Sequence, residues 1–346
     1  MSKNSLSYHA KVKNMYGHVP GNAPEFHLPG NSYSVRSRCM HFFTIFNDSI
    51  LPIFLIIISA FIYNHIFKPE IKPLASLALA LFAPVLVFES MTRHAVAFSD
   101  LAVPFAFMLL LTGLLIALGI LLSSAMRLDP GEKNSFILGV SMINVGNFGL
   151  PLIHLTFGQE AVPLSIIYFV IFNIPLCTLA IYMSSDKTRL REIMLDVVRI
   201  PIFHAFLLAL VFSWLKIPVP GGIQQGLKLI SAGAIPLLIF ILGLQLATIS
   251  LSSLKDRLLR FAAIISAASA VRLVISPLAA VLILYFFPVS QLEMSVAVLQ
   301  TSAPAAILPL MYAIKFNKSP ELLAAIILFT TILSGITLPV LIQYLN

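Results

Sequence analysis

Charged side chains are scarce in this chain: 10% of its 346 residues are Asp, Glu, Lys or Arg, while 59% are hydrophobic. A soluble domain carries about 25% charged residues, so this scarcity points to lipid as the solvent. Cysteine is nearly absent. Cys39 and Cys177 stand far apart, the second inside an apolar run, which argues against a disulfide framework; neither has the neighbours of a metal site. There is no Gly-rich loop with a phosphate-binding lysine, so ATP-driven movement within the chain is not expected. His-Glu-x-x-His is missing too, and no paired acidic residues suggest a membrane protease. An enzyme is not expected, nor is a cofactor. Weak ten-residue alternation, the mark of an outer-membrane barrel, is also lacking.

What the chain has in quantity is apolar runs of about 20 residues, the length that crosses a bilayer as a helix. Ten are readable: 49–65, 71–91, 101–125, 135–156, 162–183, 200–215, 227–248, 258–287, 293–314 and 321–344. The first and sixth are short, and the eighth is long enough to tilt. The fold class is therefore an all-α integral membrane protein with ten transmembrane helices. The formal charge of +8 does not imply nucleic acid, because cations of a membrane protein collect on its cytoplasmic loops. Loops after odd-numbered spans hold thirteen Lys and Arg, from Lys68 to Lys318; loops after even-numbered spans hold three, Arg93, Lys216 and Lys228. The odd loops are thus cytoplasmic, and both termini face outward from the inner membrane.

Residues 1–40 resist this picture, with Lys3, Lys11, Lys13, Arg36 and Arg38 on the side that should be poor in cations. They have no apolar core of a signal peptide, and their Asn, Ser, His, Pro and Gly content predicts disorder. Translation starting at Met40 would account for them, and intact mass from the native host tests that expectation.

The remainder divides into two halves, 41–190 and 191–346. FAPVLVF (82–88) in span 2 is matched by AIPLLIF (234–240) in span 7, with Pro84 and Pro236 separated by 152 residues. GLPLIHLTFG (149–158) in span 4 is matched by ILPLMYAIKF (307–316) in span 9, with Pro151 and Pro309 separated by 158. These offsets lay spans 1–5 over spans 6–10. Five is odd, so the second copy crosses in the opposite sense, giving two inverted five-helix repeats.

Two of the runs are interrupted at matching places. In SMINVGNFGLPLIHL (141–155), Asn144, Gly146, Asn147 and Gly149 precede Pro151. Glycine accepts unusual backbone angles and proline removes a donor, so the helix is expected to stop near Gly146–Gly149 and restart near Pro151. A restarted helix offers free N–H groups and a positive dipole end to an anion, and the two Asn amides add polar contacts without buried charge. The competing reading is a glycine-lined helix contact with Asn as interhelical glue. In LQTSAPAAILPLMY (299–312), Gln300, Thr301, Ser302 and Pro304 make the second break, with a kinked continuous helix as its rival. Unwound backbone at membrane depth is tolerated only inside protein or against a cavity, and paired interruptions mark a secondary transporter's midplane site.

Few other polar groups lie deep in the spans. Arg272, in SAVRLVISP, is the one basic residue well inside a run. It either attracts an anion and pairs with Glu89 of span 2, or caps carbonyls of the broken helices. Asn173 could line the site from span 5 or bind a neighbouring helix. His154 reads as packing residue or proton carrier, and Glu293 and Glu321 as helix-start charges.

These residues resemble the auxin efflux carrier family, in its bacterial branch of malate or malonate permeases. The resemblance covers roughly residues 50–344 and rests on NVGNFGLPL (144–152), PLLIFILGLQLA (236–247), RLVISPL (272–278) and TSAPAAILPLMYAIKFNKSPELLAA (301–325). It implies a fold like that of bile-acid sodium symporters. Spans 1, 2, 6 and 7 would be a scaffold, and spans 3–5 and 8–10 a moving domain whose fourth and ninth helices cross at their broken centres. It also implies a small organic anion as cargo, dicarboxylate or auxin-like. The expected substrate-binding set is Asn144, Gly146, Asn147, Gly149, Pro151, Thr301, Ser302, Pro304, Arg272 and Asn173. The coupling ion of such a carrier would be H+ or Na+; the alternatives are a sodium-coupled symporter of amphipathic acids and a membrane sensor of organic acids that moves nothing. The bilayer is the other expected partner, with a homodimer as a further possibility. The chain lacks the long loop that plant carriers have between spans 5 and 6.

Overall fold

The computed structural model describes residues 41–94, 98–184, 199–249, 258–315 and 319–345; residues 1–40, with the expected disorder and start at Met40, lie outside the described set. The elements of the described residues are all helices, and they lie within one compact unit, His41–Asn346. In chain order the helices are α1 (His41–Phe67), α2 (Ile71–Arg93), α3 (Ala102–Ala125), α4 (Pro130–Ser141), α5 (Val145–Phe157) and α6 (Val162–Ser184), then α7 (Pro201–Leu215), α8 (Gly221–Ala247), α9 (Phe261–Leu284), α10 (Gln291–Thr301), α11 (Leu308–Lys315) and α12 (Pro320–Leu345).

Seven of these are long and apolar enough to cross a membrane alone: α1, α2, α3, α6, α8, α9 and α12. Three of the ten expected spans fall short of that length. The sixth is α7, of 15 residues, and the fourth and ninth are each divided in two. The first span, expected to be short, extends to 27 residues because His41–Ile50 continues the helix upstream.

Prolines shape several helices in one repeated way. A wide turn closes with Leu51 N–H on Phe46 O, Ala83 on Ala78, Leu150 on Val145 and Ser276 on Val271. Each donor sits immediately before a proline: Pro52, Pro84, Pro151 and Pro277. A proline in a helix lacks its own N–H and crowds the carbonyl four residues back. Widening the preceding turn by one residue accommodates both defects, leaving a π-bulge where helices often carry function.

The two divided spans are built alike. α4 begins with a capping box between Asp129 and Glu132, α10 with one between Ser290 and Glu293. Glu293 Oε2 accepts from Ser290 N–H at 2.7 Å, which gives that carboxylate a helix-start role. α11 opens with Leu308-Pro309, as the α-helical part of α5 opens with Leu150-Pro151. Proline at a first turn costs no hydrogen bond, so Pro309 fixes where α11 starts, whereas Pro151 follows the wide turn Val145–Gly149 with which α5 begins.

Packing sorts the helices into two groups. α8 lies along α1 and α2, and α7 lies against α2. α3, α4, α6, α9 and α12 pack among themselves around α5, α10 and α11. The groups meet chiefly where α8 and α1 touch α5, where α12 reaches α1, and where α6 meets α2. Close approach depends on small residues, as expected for helix pairs in lipid. A Cβ added at Gly139 of α4 would lie 2.8 Å from Ile326 of α12, and one at Gly119 of α3 would lie 3.2 Å from the Ile137 Cα. Ring contacts fill the interior, Phe107 of α3 meeting Tyr168 of α6 edge-on at 6.0 Å.

Candidate functional site

The two unwound stretches meet each other. Asn144 N–H donates to Pro304 O at 3.0 Å and Ala306 N–H donates to Met142 O at 2.9 Å, flanking an antiparallel bridge between Ile143 and Ala305. Backbone groups freed by breaking both helices are thus satisfied by one another, as hydrocarbon demands. Two further side chains complete the set. Gln300 Nε2 donates to Val145 O at 3.0 Å and to Ser165 O at 2.9 Å. Thr330 of α12 accepts from Ala305 N–H at 3.2 Å and donates to Ile326 O at 2.7 Å. Thr330→Val keeps the shape but leaves a buried N–H without a partner, so unfolding free energy should fall by about 1–3 kcal/mol. Thermal unfolding in detergent checks this, with Thr330→Ser expected near wild type.

The first break lies upstream of its expected place. α4 ends at Ser141, the chain is extended over Met142–Asn144, and α5 restarts at Val145, so Gly146 and Gly149 belong to the first turn of the new helix. Their role is also different. Neither has a positive φ; among described residues only Gly158, where α5 ends, is a glycine that does. Both are glycine for room. A Cβ at 146 would lie 2.5 Å from the Phe169 ring, and one at 149 would lie 2.9 Å from Gln300 Cγ and 3.2 Å from its carbonyl oxygen. The second break falls where expected, between Thr301 and Leu308, and is an interruption, not a kink.

The polar side chains differ in what they have left to offer. Thr301 and Ser302 hydroxyls both turn back onto their own helix, to Ala297 O and Val298 O at 2.6 Å each. Asn173 does the same, donating to Phe169 O at 2.6 Å, one turn away on α6. Asn144 is different. It is 5% exposed, makes no side-chain cap on α5, and its Nδ2 is buried without a partner. Asn147, one turn into α5, is half-buried.

Arg272, in the wide turn of α9, is fully buried. Nη1 donates to Val140 O at 3.1 Å, and Nη2 donates to Thr301 O and to Ser276 Oγ, the latter at 2.5 Å. It therefore holds the last carbonyls of α4 and α10 and does not pair with Glu89. Glu89 is itself buried, and its carboxylate binds Arg93 one turn along α2 and Ser231 Oγ of α8 at 3.3 Å. Its own helix supplies the cation that α9 was expected to supply.

A cleft of about 560 Å3 opens between α1, α2, α8 and the far end of α5. Glu89, Arg93, His154, Gln159, Lys228 and Ser231 are its polar lining, and Pro236 and Ile239 are among its apolar walls. The crossing residues are not part of its wall, though α5 connects the two. Of the polar lining, the sequence singles out Glu89 and His154; Arg93 and Lys228 count there as loop cations, and Gln159 and Ser231 give no signal. Gln300 was visible as an amide in an apolar run. Thr330, in a plain apolar helix, gave no signal.

A break in each of two divided spans, crossed at main-chain distance inside an all-helical apolar protein, is the architecture of a carrier. Residues 45–193 and 187–342 match the membrane transport protein family. The chain belongs to that family, the auxin efflux carriers. Similar proteins include an uncharacterized transporter of Methanothermobacter thermautotrophicus, 32% identical over 214 residues, covering 61% of this chain and 68% of that one. An uncharacterized transporter of Methanocaldococcus jannaschii is 27% identical over 210 residues, covering 59% of this chain and 66% of that one. The match thus spans about two thirds of each relative. This carrier is a multi-pass membrane transporter and not an enzyme.

Proposed function

We propose that the carrier moves small organic anions by alternating access, with the substrate carboxylate held at the crossing of the fourth and ninth spans. The observation that carries this reading is an asymmetry of charge. Helix termini bear about half an elementary charge, negative at the C-terminal end and positive at the N-terminal end. The C-terminal ends of α4 and α10 have a built-in counter-ion, because Arg272 binds Val140 O and Thr301 O. The N-terminal end of α5 has none among the described contacts: its cap residue is Asn144, whose side chain does not cap the helix and whose amide is an orphan donor. Positive dipole end and idle amide together ask for an anion.

In this reading the ten spans form two inverted repeats. α1 and α7 both end on a left-handed lysine, Lys68 and Lys216, and the divided spans share capping boxes and a Leu-Pro pair in their second halves. α1, α2, α7 and α8 are the scaffold, and the group containing the crossing is the part that moves. The cleft at Glu89 lies on the outer face, given termini outside the inner membrane, and leads along α5 toward the crossing. Asn144 and Asn147 bind the carboxylate, with Gly146, Gly149 and Pro151 shaping the turn that exposes the N–H groups. Thr301, Ser302, Pro304 and Asn173 support the crossing without donating to the cargo.

The test is a thermal-shift screen of purified carrier against mono- and dicarboxylates, then counterflow in proteoliposomes with each hit. Saturable stabilisation and counterflow by at least one carboxylate are expected. Stabilisation without counterflow would make the protein a sensor, and a carrier of cations or neutral solutes alone would overturn the anion site.

A further inference from the structure

Three oxygens accept from the Arg272 guanidinium. Two are main-chain carbonyls at the C-terminal ends of half-helices, Val140 O and Thr301 O, and the third is the Ser276 hydroxyl. Carbonyls of unwound half-helices are the groups that bind Na+ in carriers built on crossed broken helices. Hard oxygen ligands of this kind replace the hydration shell of an alkali ion. Here the place is taken by a side chain of the protein itself. No carboxylate donates its charge to the guanidinium among the described contacts, and Nε is buried without a partner. Two helix ends of about −0.5 each sum to about one negative charge, which one guanidinium cancels.

We infer that Arg272 is a tethered counter-ion filling a monovalent-cation site at the crossing, and that the site takes a free cation when the side chain is removed. The carrier consequently needs no sodium. This rests on the proposed transport role only for the flux measurement; the binding measurement stands without it. Three alternatives have less behind them. The cleft at Glu89 leads into the site already described. The apolar groove between α3, α6 and α7 has lipid as its ready occupant. Gln300 Oε1 and Ser165 Oγ, orphaned beside α5, are close enough to the crossing to belong to it.

The experiment follows thermal unfolding of the purified full chain in detergent at constant ionic strength, exchanging choline for Na+, K+ or low-millimolar guanidinium. The wild type should show no difference between Na+ and choline. Arg272→Ala should melt several degrees lower, and small cations should raise its midpoint saturably while choline does not. Arg272→Met, similar in length but uncharged, should block rescue, whereas a bystander such as Gly226→Ala should respond to nothing. Should Arg272→Ala fold only when guanidinium is present during purification, that dependence is itself the rescue. Saturable Na+ stabilisation of the wild type would overturn the inference, as would an Arg272→Ala protein indifferent to every small cation. In proteoliposomes, wild-type uptake should be equal in choline and Na+. If no carboxylate is taken up, the transport reading falls while the cation rescue is judged separately.

Discussion

Asn144→Ala should stop substrate movement and leave the carrier folded. The bonds that Asn144 makes at the crossing are main-chain bonds: its N–H to Pro304 O at 3.0 Å and its carbonyl from Gly149 N–H at 2.9 Å. Alanine keeps both. What disappears is the amide, whose Nδ2 has no partner inside the protein. Removing an unsatisfied buried donor does not destabilise a fold, so the melting midpoint should hold or rise. A hydrogen bond from that amide to a carboxylate is worth about 1.5–3 kcal/mol, so substrate binding should weaken about ten- to hundredfold. Asn144→Asp should be worse, since it sets a like charge against the anion. Initial uptake rates and thermal midpoints, measured on one preparation, check the pair. Wild-type uptake by Asn144→Ala would remove the residue from the binding set.

Gly243→Leu should prevent the scaffold from forming. A Cβ there would lie 2.6 Å from Ile57 O, 2.9 Å from Ile57 Cα and 2.7 Å from Ala60 Cβ. Two of these are main-chain atoms of α1, which cannot rotate away as a side-chain tip can. In lipid, helices gain no hydrophobic drive toward each other, so their association depends on the close packing that this glycine permits. Overpacking costs about 1–3 kcal/mol even where side chains can yield. The expected result is loss of the monodisperse peak in size-exclusion chromatography. Gly226→Leu, on the same helix with nothing within 4 Å of an added Cβ, is the control and should be unaffected. A monodisperse Gly243→Leu protein would mean that α1 and α8 tolerate separation.

Composition and proline placement made much of this architecture legible. Ten apolar runs can be read directly, and Pro309 marks where α11 starts because a first turn is where proline does no harm, whereas Pro151 lies past the start of α5 at Val145. The breaks were recognisable for the same reason. Their detail was less so. Gly146 and Gly149 look like flexible joints in sequence, yet they serve approach to Phe169 and Gln300, residues that no local pattern connects to them. Arg272 was readable as an oddity, with capping of the broken helices as one of its two expected roles, but its particular partners were not, since Val140 and Thr301 lie 132 and 29 residues away. The bonds that stabilise the crossing run between main-chain groups. They leave almost no trace in residue identity, which is why Ile143, Ala305 and Ala306 look like ordinary apolar residues.

The charge of Arg272 is fixed to the crossing and goes wherever the crossing goes. The helix ends there sum to nothing, positive ends cancelling negative ones, so an empty crossing bears one positive charge. A monovalent anion seated on it makes a neutral package. Membrane voltage acts at about 2.3 kcal/mol per elementary charge per 100 mV. The loaded stroke would feel none of that, and the unloaded return would feel it all. Electrical work would enter the cycle as the resetting of an empty carrier; with a divalent anion the loaded stroke would carry one negative charge while the empty return still carried one positive charge.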